Sequence, residues 1–311
     1  MGQSDIIFAP YNYIIDPGIR KAMSINLNNS ALLIDEAHNI LQAARDAASI
    51  ELNLGILKEC HLRYSDFTKF IQSEGKKKKK NNNFSSGVPL GALMDLEQRL
   101  KQTVEWIESE VATLHEVING QREKCLSGQN MIDSLLHGCI TNDLDLKVAM
   151  TNLNELESWS KDIVKELNSD SSNKDLFQFI KFFMGSCQNG IHIMSEFLSV
   201  LVWVLGNNRQ NVADFRLIVQ QTLPSSHHKR KRQKLDQEDN QTIVSIKCLN
   251  AAFIFNDIKG ECSSLILTSG TLSPLNAFAT EMNVHFQFTI EALSSINVNK
   301  QVCFLSFVLM K

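Results

Sequence analysis

Two short stretches of the sequence place oxygen-bearing side chains directly after apolar runs. The first is Ala31-Leu32-Leu33-Ile34, followed by Asp35-Glu36-Ala37-His38. An uninterrupted apolar run suits a central parallel strand buried on both faces. The two carboxylates then fall at the carboxyl edge of a sheet, where open α/β folds bind ligands. A nucleoside triphosphate brings Mg2+, a hard ion held through oxygen ligands and waters. Asp35 is placed to be such a ligand, and Glu36 to polarise a water for in-line attack on a γ-phosphoryl group. His38 stands where a side chain can report nucleotide state to a neighbouring domain. The plain alternative is a helix N-terminus whose dipole Asp35 and Glu36 merely favour.

The second stretch is Leu265-Ile266-Leu267-Thr268-Ser269-Gly270-Thr271-Leu272-Ser273-Pro274. Here a strand delivers small hydroxyl residues to the same kind of edge. Ser269 and Thr271 can hydrogen-bond to acidic partners, and Gly270 lets a backbone approach closely. A strand-to-turn junction capped by Ser, Gly and Pro would read the same way. If the stretches act together, their turns must end adjacent strands on one rim.

The elements that would position them follow from hydrophobic spacing. Asp5-Ile6-Ile7-Phe8-Ala9 reads as a strand ended by Pro10, and Ala37 to Ile50 as a helix with Ile40, Leu41, Ala44 and Ala47 along one side. Strand–helix alternation implies an α/β sheet. Past residue 51 the pattern changes. Leu93, Leu96, Leu100, Val104, Ile107, Val111, Leu114 and Ile118 recur at spacings of three and four, one stripe of a long amphipathic helix. A second such helix covers about 144–167, and a third, 175–205, is interrupted between Gly185 and Gly190. This predicts a helical bundle between the two chemical stretches. Phe215 to Val219 and Thr242 to Ile246 read as strands. Gly75 with Lys76 to Lys80 and Asn81 to Asn83 is a solvated loop, as is Pro224 to Arg232. The organisation expected is 1–50 in one α/β domain, 51–241 as a mostly helical insertion with basic loops, and 242–311 returning to the α/β domain.

Bulk composition excludes several classes. A net charge of -3 leaves nucleic-acid contact to local patches. The seven cysteines are odd in number and no two have C-x-x-C spacing, which argues against a disulfide framework and against a zinc or iron–sulfur site built by this chain alone. Ile191 to Leu205 is too short for a membrane span, so no membrane partner is expected. Lys229 to Arg232 with Lys234 resembles a nuclear localisation signal, against the alternative of a solvated loop. Trp106, Trp159 and Trp203 read as packing residues.

Taken together, Asp-Glu-Ala-His after its strand and Thr-Ser-Gly-Thr-Leu-Ser-Pro after its own resemble motifs II and III of the XPD-like, iron–sulfur branch of superfamily 2 helicases. Pro10-Tyr11-Asn12-Tyr13-Ile14-Ile15-Asp16 is similar to an element preceding the acidic box there. Residues 35–49 and 248–274 look most like the Fanconi anaemia group J subfamily. The resemblance implies part of a RecA-like P-loop NTPase motor domain interrupted by an Arch-type insertion. It implies a 5′-to-3′ DNA helicase in nuclear DNA repair that uses ATP and Mg2+, acts on single-stranded or forked DNA and meets other repair proteins. By motif match, Asp35 would hold the metal and Glu36 the water, with His38, Ser269, Gly270 and Thr271 coupling hydrolysis to DNA movement. The family's phosphate loop has no counterpart, since Gly-Lys-Ser and Gly-Lys-Thr are absent. Its four cluster cysteines, expected in an intact protein as ligands of a 4Fe-4S cluster, are absent too. The expectation is an internal piece of a longer helicase, inactive alone; the alternative is a catalytically dead module that binds DNA or a partner.

Overall fold

The computed structural model describes residues 5–77, 88–115, 117–118, 120–138, 140, 142–169, 174–222, 242–272 and 274–291. The chain starts with two short helices, α1 (Asn12–Ile15) and α2 (Pro17–Ala22), the second capped by the Asp16 carboxylate accepting from Ile19 N at 3.0 Å. Then come β1 (Ala31–Ile34), a 3-10 turn (Ala37–Asn39), α3 (Ile40–Ala47) and β2 (Ile50–Asn53). Next are α4 (Leu54–Lys77), α5 (Leu90–Ala112), the short β3 (Val117–Ile118), β4 (Gln121–Leu126), α6 (Gly128–Gly138), α7 (Asp143–Ser169) and α8 (Lys174–Arg209). The last elements are β5 (Phe215–Thr222), β6 (Thr242–Cys248), α9 (Ala252–Glu261), β7 (Ser264–Leu267) and α10 (Leu275–Met282).

The strands form two sheets. β1 and β7 pair in parallel, with Ala31 opposite Ser264 and Ile34 opposite Leu267. Strands this far apart in sequence, running the same way, require a long crossover, and the intervening 229 positions between Ile34 and Ser264 provide it. The other sheet is antiparallel, in the order β2-β6-β5-β4-β3. The architecture is α/β, with a parallel strand pair whose two strands are separated in sequence by a largely helical insertion, as the hydrophobic spacing implied.

In the insertion, α4, α5, α7 and α8 close a ring in which each helix packs on two neighbours. Leu93, Leu96, Leu100 and Ile107 form the stripe on α5 and are nearly inaccessible, as are Tyr64, Leu57 and Phe197 from the facing helices. Each such side chain contributes about 1.5–3 kcal/mol on burial. Trp106 stacks on Phe197 with centroids 6.2 Å apart, and Trp159 and Trp203 pack partly buried against the same core. Arg99 is buried within this bundle, with Nε 2.9 Å from Asp95 and Nη2 2.7 Å from Asp145, tying α5 to α7. Burial alone would pull its pKa down, but the two carboxylates hold it above the ordinary guanidinium value.

Several expectations are corrected. Asp5 to Ala9 is not a strand: it pairs with nothing among the described residues, and Phe8 is 95% exposed. β-branched composition alone does not make a strand without an edge to bond to. The long stripe ends as helix at Ala112, and Ile118 lies in β3, because short periodic stretches cannot distinguish a helix end from a following strand. α8 runs through Gly185 to Gly190 without a break, its tertiary packing overriding glycine's cost. Within α8, Gln188–Gly206 is long and apolar enough to cross a membrane, and half of that span is buried inside the protein. β2, β3 and β4 were not foreseen. β4 is Gln-Arg-Glu-Lys-Cys-Leu, whose charges mask its alternation. β6, read as part of the return to the α/β domain, lies between β2 and β5 in the antiparallel sheet. Lys76 and Lys77 extend α4, while the rest of the lysine–asparagine run and the basic stretch after Pro224 lie outside the described residues.

Candidate functional site

β1 and β7 end side by side, and their turns bond directly. Thr268 N donates to Ile34 O at 2.9 Å, and Ala37 N donates to Thr268 O at 3.0 Å. The parallel ladder therefore continues one step past each strand and locks the two turns together. The hydrophobic register explains the alignment: Ile34 is buried opposite the half-buried Leu267. The opposite face is open, with Leu33 63% and Ile266 49% exposed, so the expectation of burial on both faces is not met among the described residues.

Side chains converge on this rim. Thr268 Oγ1 donates to Asp35 Oδ1 at 2.9 Å. Ser269 Oγ lies 3.3 Å from Glu36 Oε2 and 3.0 Å from His38 Nδ1, while His38 Nδ1 is 3.2 Å from Glu36 Oε2. Thr271 N donates to Ser269 Oγ at 3.3 Å. Asn39 Nδ2 lies 2.9 Å from His38 Nε2. So Asp35, Glu36, His38, Ser269 and Thr271 are brought together, and Gly270 forms the exposed bend between the two hydroxyls, with open space where a Cβ would stand. Sequence reasoning missed Thr268, hidden as the last letter of an apolar run, and Asn39.

Glu36 has a left-handed backbone, φ 49° and ψ 42°. For an L-residue other than glycine this costs about 1–2 kcal/mol, and such outliers cluster at functional sites. The twist swings its carboxylate away from the strand direction and toward Ser269. All these groups are solvent-accessible. Among the described residues, Asp35 is bonded only through Oδ1, to Thr268.

Away from the rim, a buried arginine ties α2 to α9. Arg20 is buried, with Nη2 2.6 Å from Asp257 and Nη1 donating to Ile14 O at 2.7 Å. Arg45 of α3 bonds Glu281 of α10. The Arg20–Asp257 and Arg45–Glu281 links were invisible in the sequence because their partners lie 237 and 236 positions apart. A separate cavity of about 580 Å³ lies between α5, α6 and β4, lined by Trp106, Glu110, Lys124 and Asp133 among others. It takes no residue from either turn.

Comparison with known proteins bears on this rim. The DEAD_2 family profile matches residues 1–57, which include the acidic box. A Fanconi anemia group J protein homolog of Gallus gallus is 26% identical, over 96% of this chain and 23% of its own length. The chain is thus similar to helicase relatives over nearly all of its own length. A regulator of telomere elongation helicase 1 homolog of Arabidopsis thaliana is also 26% identical, over 95% of this chain and 25% of its own. The chain spans about a quarter of the length of these relatives. A solved XPD helicase aligns over 88% of this chain and 33% of its own, with 13% identity and a TM-score of 0.37.

Proposed function

We propose that this chain is part of an ATP-dependent DNA helicase. In this reading Asp35 holds Mg2+ through a carboxylate oxygen left open beside Thr268, the hard-oxygen chemistry that ion requires. Glu36 polarises the attacking water. His38, Ser269, Gly270 and Thr271 couple hydrolysis to movement of the strand. The observation that carries the proposal is the direct bonding of the two turns at one rim, through Ala37 N to Thr268 O and Ser269 Oγ to Glu36. A change at the acidic pair is thereby felt at the hydroxyl turn without any intermediary. Bound Mg-ATP would supply the phosphoryl group to be transferred.

The finer reading is 5′-to-3′ polarity, nuclear DNA repair, single-stranded or forked DNA as substrate and repair proteins as partners. The relatives' names support the helicase class. A 4Fe-4S cluster would belong to other parts of such a protein. The sequence has no Gly-Lys-Ser or Gly-Lys-Thr to cradle the β- and γ-phosphates, so the chain by itself hydrolyses no ATP. That same gap favours a second reading, a module that holds single-stranded DNA without catalysis. Phosphate release with and without single-stranded DNA tests the first reading, and fluorescence anisotropy of a labelled oligonucleotide the second. Saturable DNA-stimulated hydrolysis by residues 1–311 would contradict inactivity of the chain alone.

A further inference from the structure

We infer that Asn39 is a positioning residue for the acidic box, acting by fixing the tautomer of His38. Asn39 Nδ2 lies 2.9 Å from His38 Nε2. An amide nitrogen can only donate, so the ring nitrogen facing it accepts and carries no proton. In the neutral ring the proton is then on Nδ1. That nitrogen faces two oxygens, Ser269 Oγ at 3.0 Å and Glu36 Oε2 at 3.2 Å. Its N–H donates into the gap between them, and the Ser269 hydroxyl keeps its own proton for Glu36 Oε2 at 3.3 Å. Every donor then has an acceptor around the ring of contacts.

The opposite tautomer breaks this balance twice. The Nδ1 lone pair would face the carboxylate oxygen, and Nε2–H would face the Asn39 amide hydrogens. Glu36 would be pushed from Ser269, and nothing else among the described residues bonds its carboxylate. The local backbone supplies the geometry: the left-handed Glu36 turns the chain sharply, and the 3-10 turn Ala37–Asn39 sets the two neighbouring side chains edge to edge. Asn39 thus holds Glu36 in place through His38. Its bearing on hydrolysis rests on the role proposed for Glu36; the tautomer itself does not.

Long-range proton–nitrogen correlation NMR on histidine-labelled chain 1–311 reads the tautomer directly. In the neutral ring, His38 is expected as the Nδ1–H form. Asn39→Ala should lose that bias and give a mixture. Asn39→Asp, which can only accept, should convert the ring to a form protonated at Nε2, and Asn39→Ser, which can still donate, should restore part of the Nδ1–H signal. The seven other histidines report whether the fold is intact. A wild-type His38 protonated at Nε2, or a tautomer unmoved in both Asn39→Ala and Asn39→Asp, would overturn the inference. Failure of the hydrolytic reading would appear instead in the phosphate-release experiment.

Discussion

The β1–β7 rim and the four-helix ring hold themselves together in different ways. The ring, built of α4, α5, α7 and α8, rests on apolar burial: Tyr64, Phe197, Leu100 and Ile107 are sealed from solvent. The rim has two four-residue strands, one exposed face and a set of accessible hydroxyls and carboxylates joined by hydrogen bonds. Net worth per exposed hydrogen bond is about 0.5–1.5 kcal/mol, and Glu36 carries backbone strain besides. The ring therefore supplies stability, while the rim spends some of it on geometry.

The sharpest way to break that contrast is to cut the ring. Phe197→Ala should cost about 3–5 kcal/mol, leaving a cavity beside Trp106, measured as a lowered urea midpoint. Arg99→Ala leaves Asp95 and Asp145 half-buried without their cation and should cost about 3 kcal/mol. Gly138→Ala should cost about 1–3 kcal/mol, since the added methyl would overlap Trp106. At the rim the signs differ. Glu36→Gly should stabilise by about 0.5–1 kcal/mol, the relief of left-handed strain less glycine's added freedom. Asp35→Asn and Ser269→Ala should stay within about 0.5 kcal/mol of the parent. If either rim change destabilised the chain as much as Phe197→Ala, the contrast would fail.

A pH series sharpens it further. Burial pushes the Cys248 thiol up to about 11, with a backbone hydrogen bond at Asn250 opposing. Its folded pKa is raised, so its share of stability is present below the ordinary value near 9.0 and is lost as pH rises through about 11. Alkylation at pH 8 should accordingly label the exposed Cys125 and spare Cys248.

What the sequence made legible was whatever depends on local periodicity or on a compact motif. The apolar runs at 31–34 and 265–267 announced strands, the spacing from Leu93 to Ile107 announced α5, and the small oxygen-rich groups after each run announced turns. Hidden features depend on contacts across the chain. Nothing local in Gln-Arg-Glu-Lys-Cys-Leu says strand, because β4 takes its place from pairing with β5. Asp5 to Ala9 has strand composition but no edge. The left-handed Glu36 is unexpected for a charged residue, and Thr268 looks like the end of a strand until Asp35 stands beside it. Arg20 finds Asp257 across 237 positions, a pairing no window could reveal.

The adjacency of the two turns is tested most directly by NMR across the rim of deuterated, nitrogen- and carbon-labelled chain. The expected results are a through-hydrogen-bond coupling between the Ala37 amide nitrogen and the Thr268 carbonyl carbon, and cross-strand contacts between Ile34 and Thr268. Absence of both, with the Ala37 and Thr268 amides exchanging as freely as in an unstructured chain, would contradict the account.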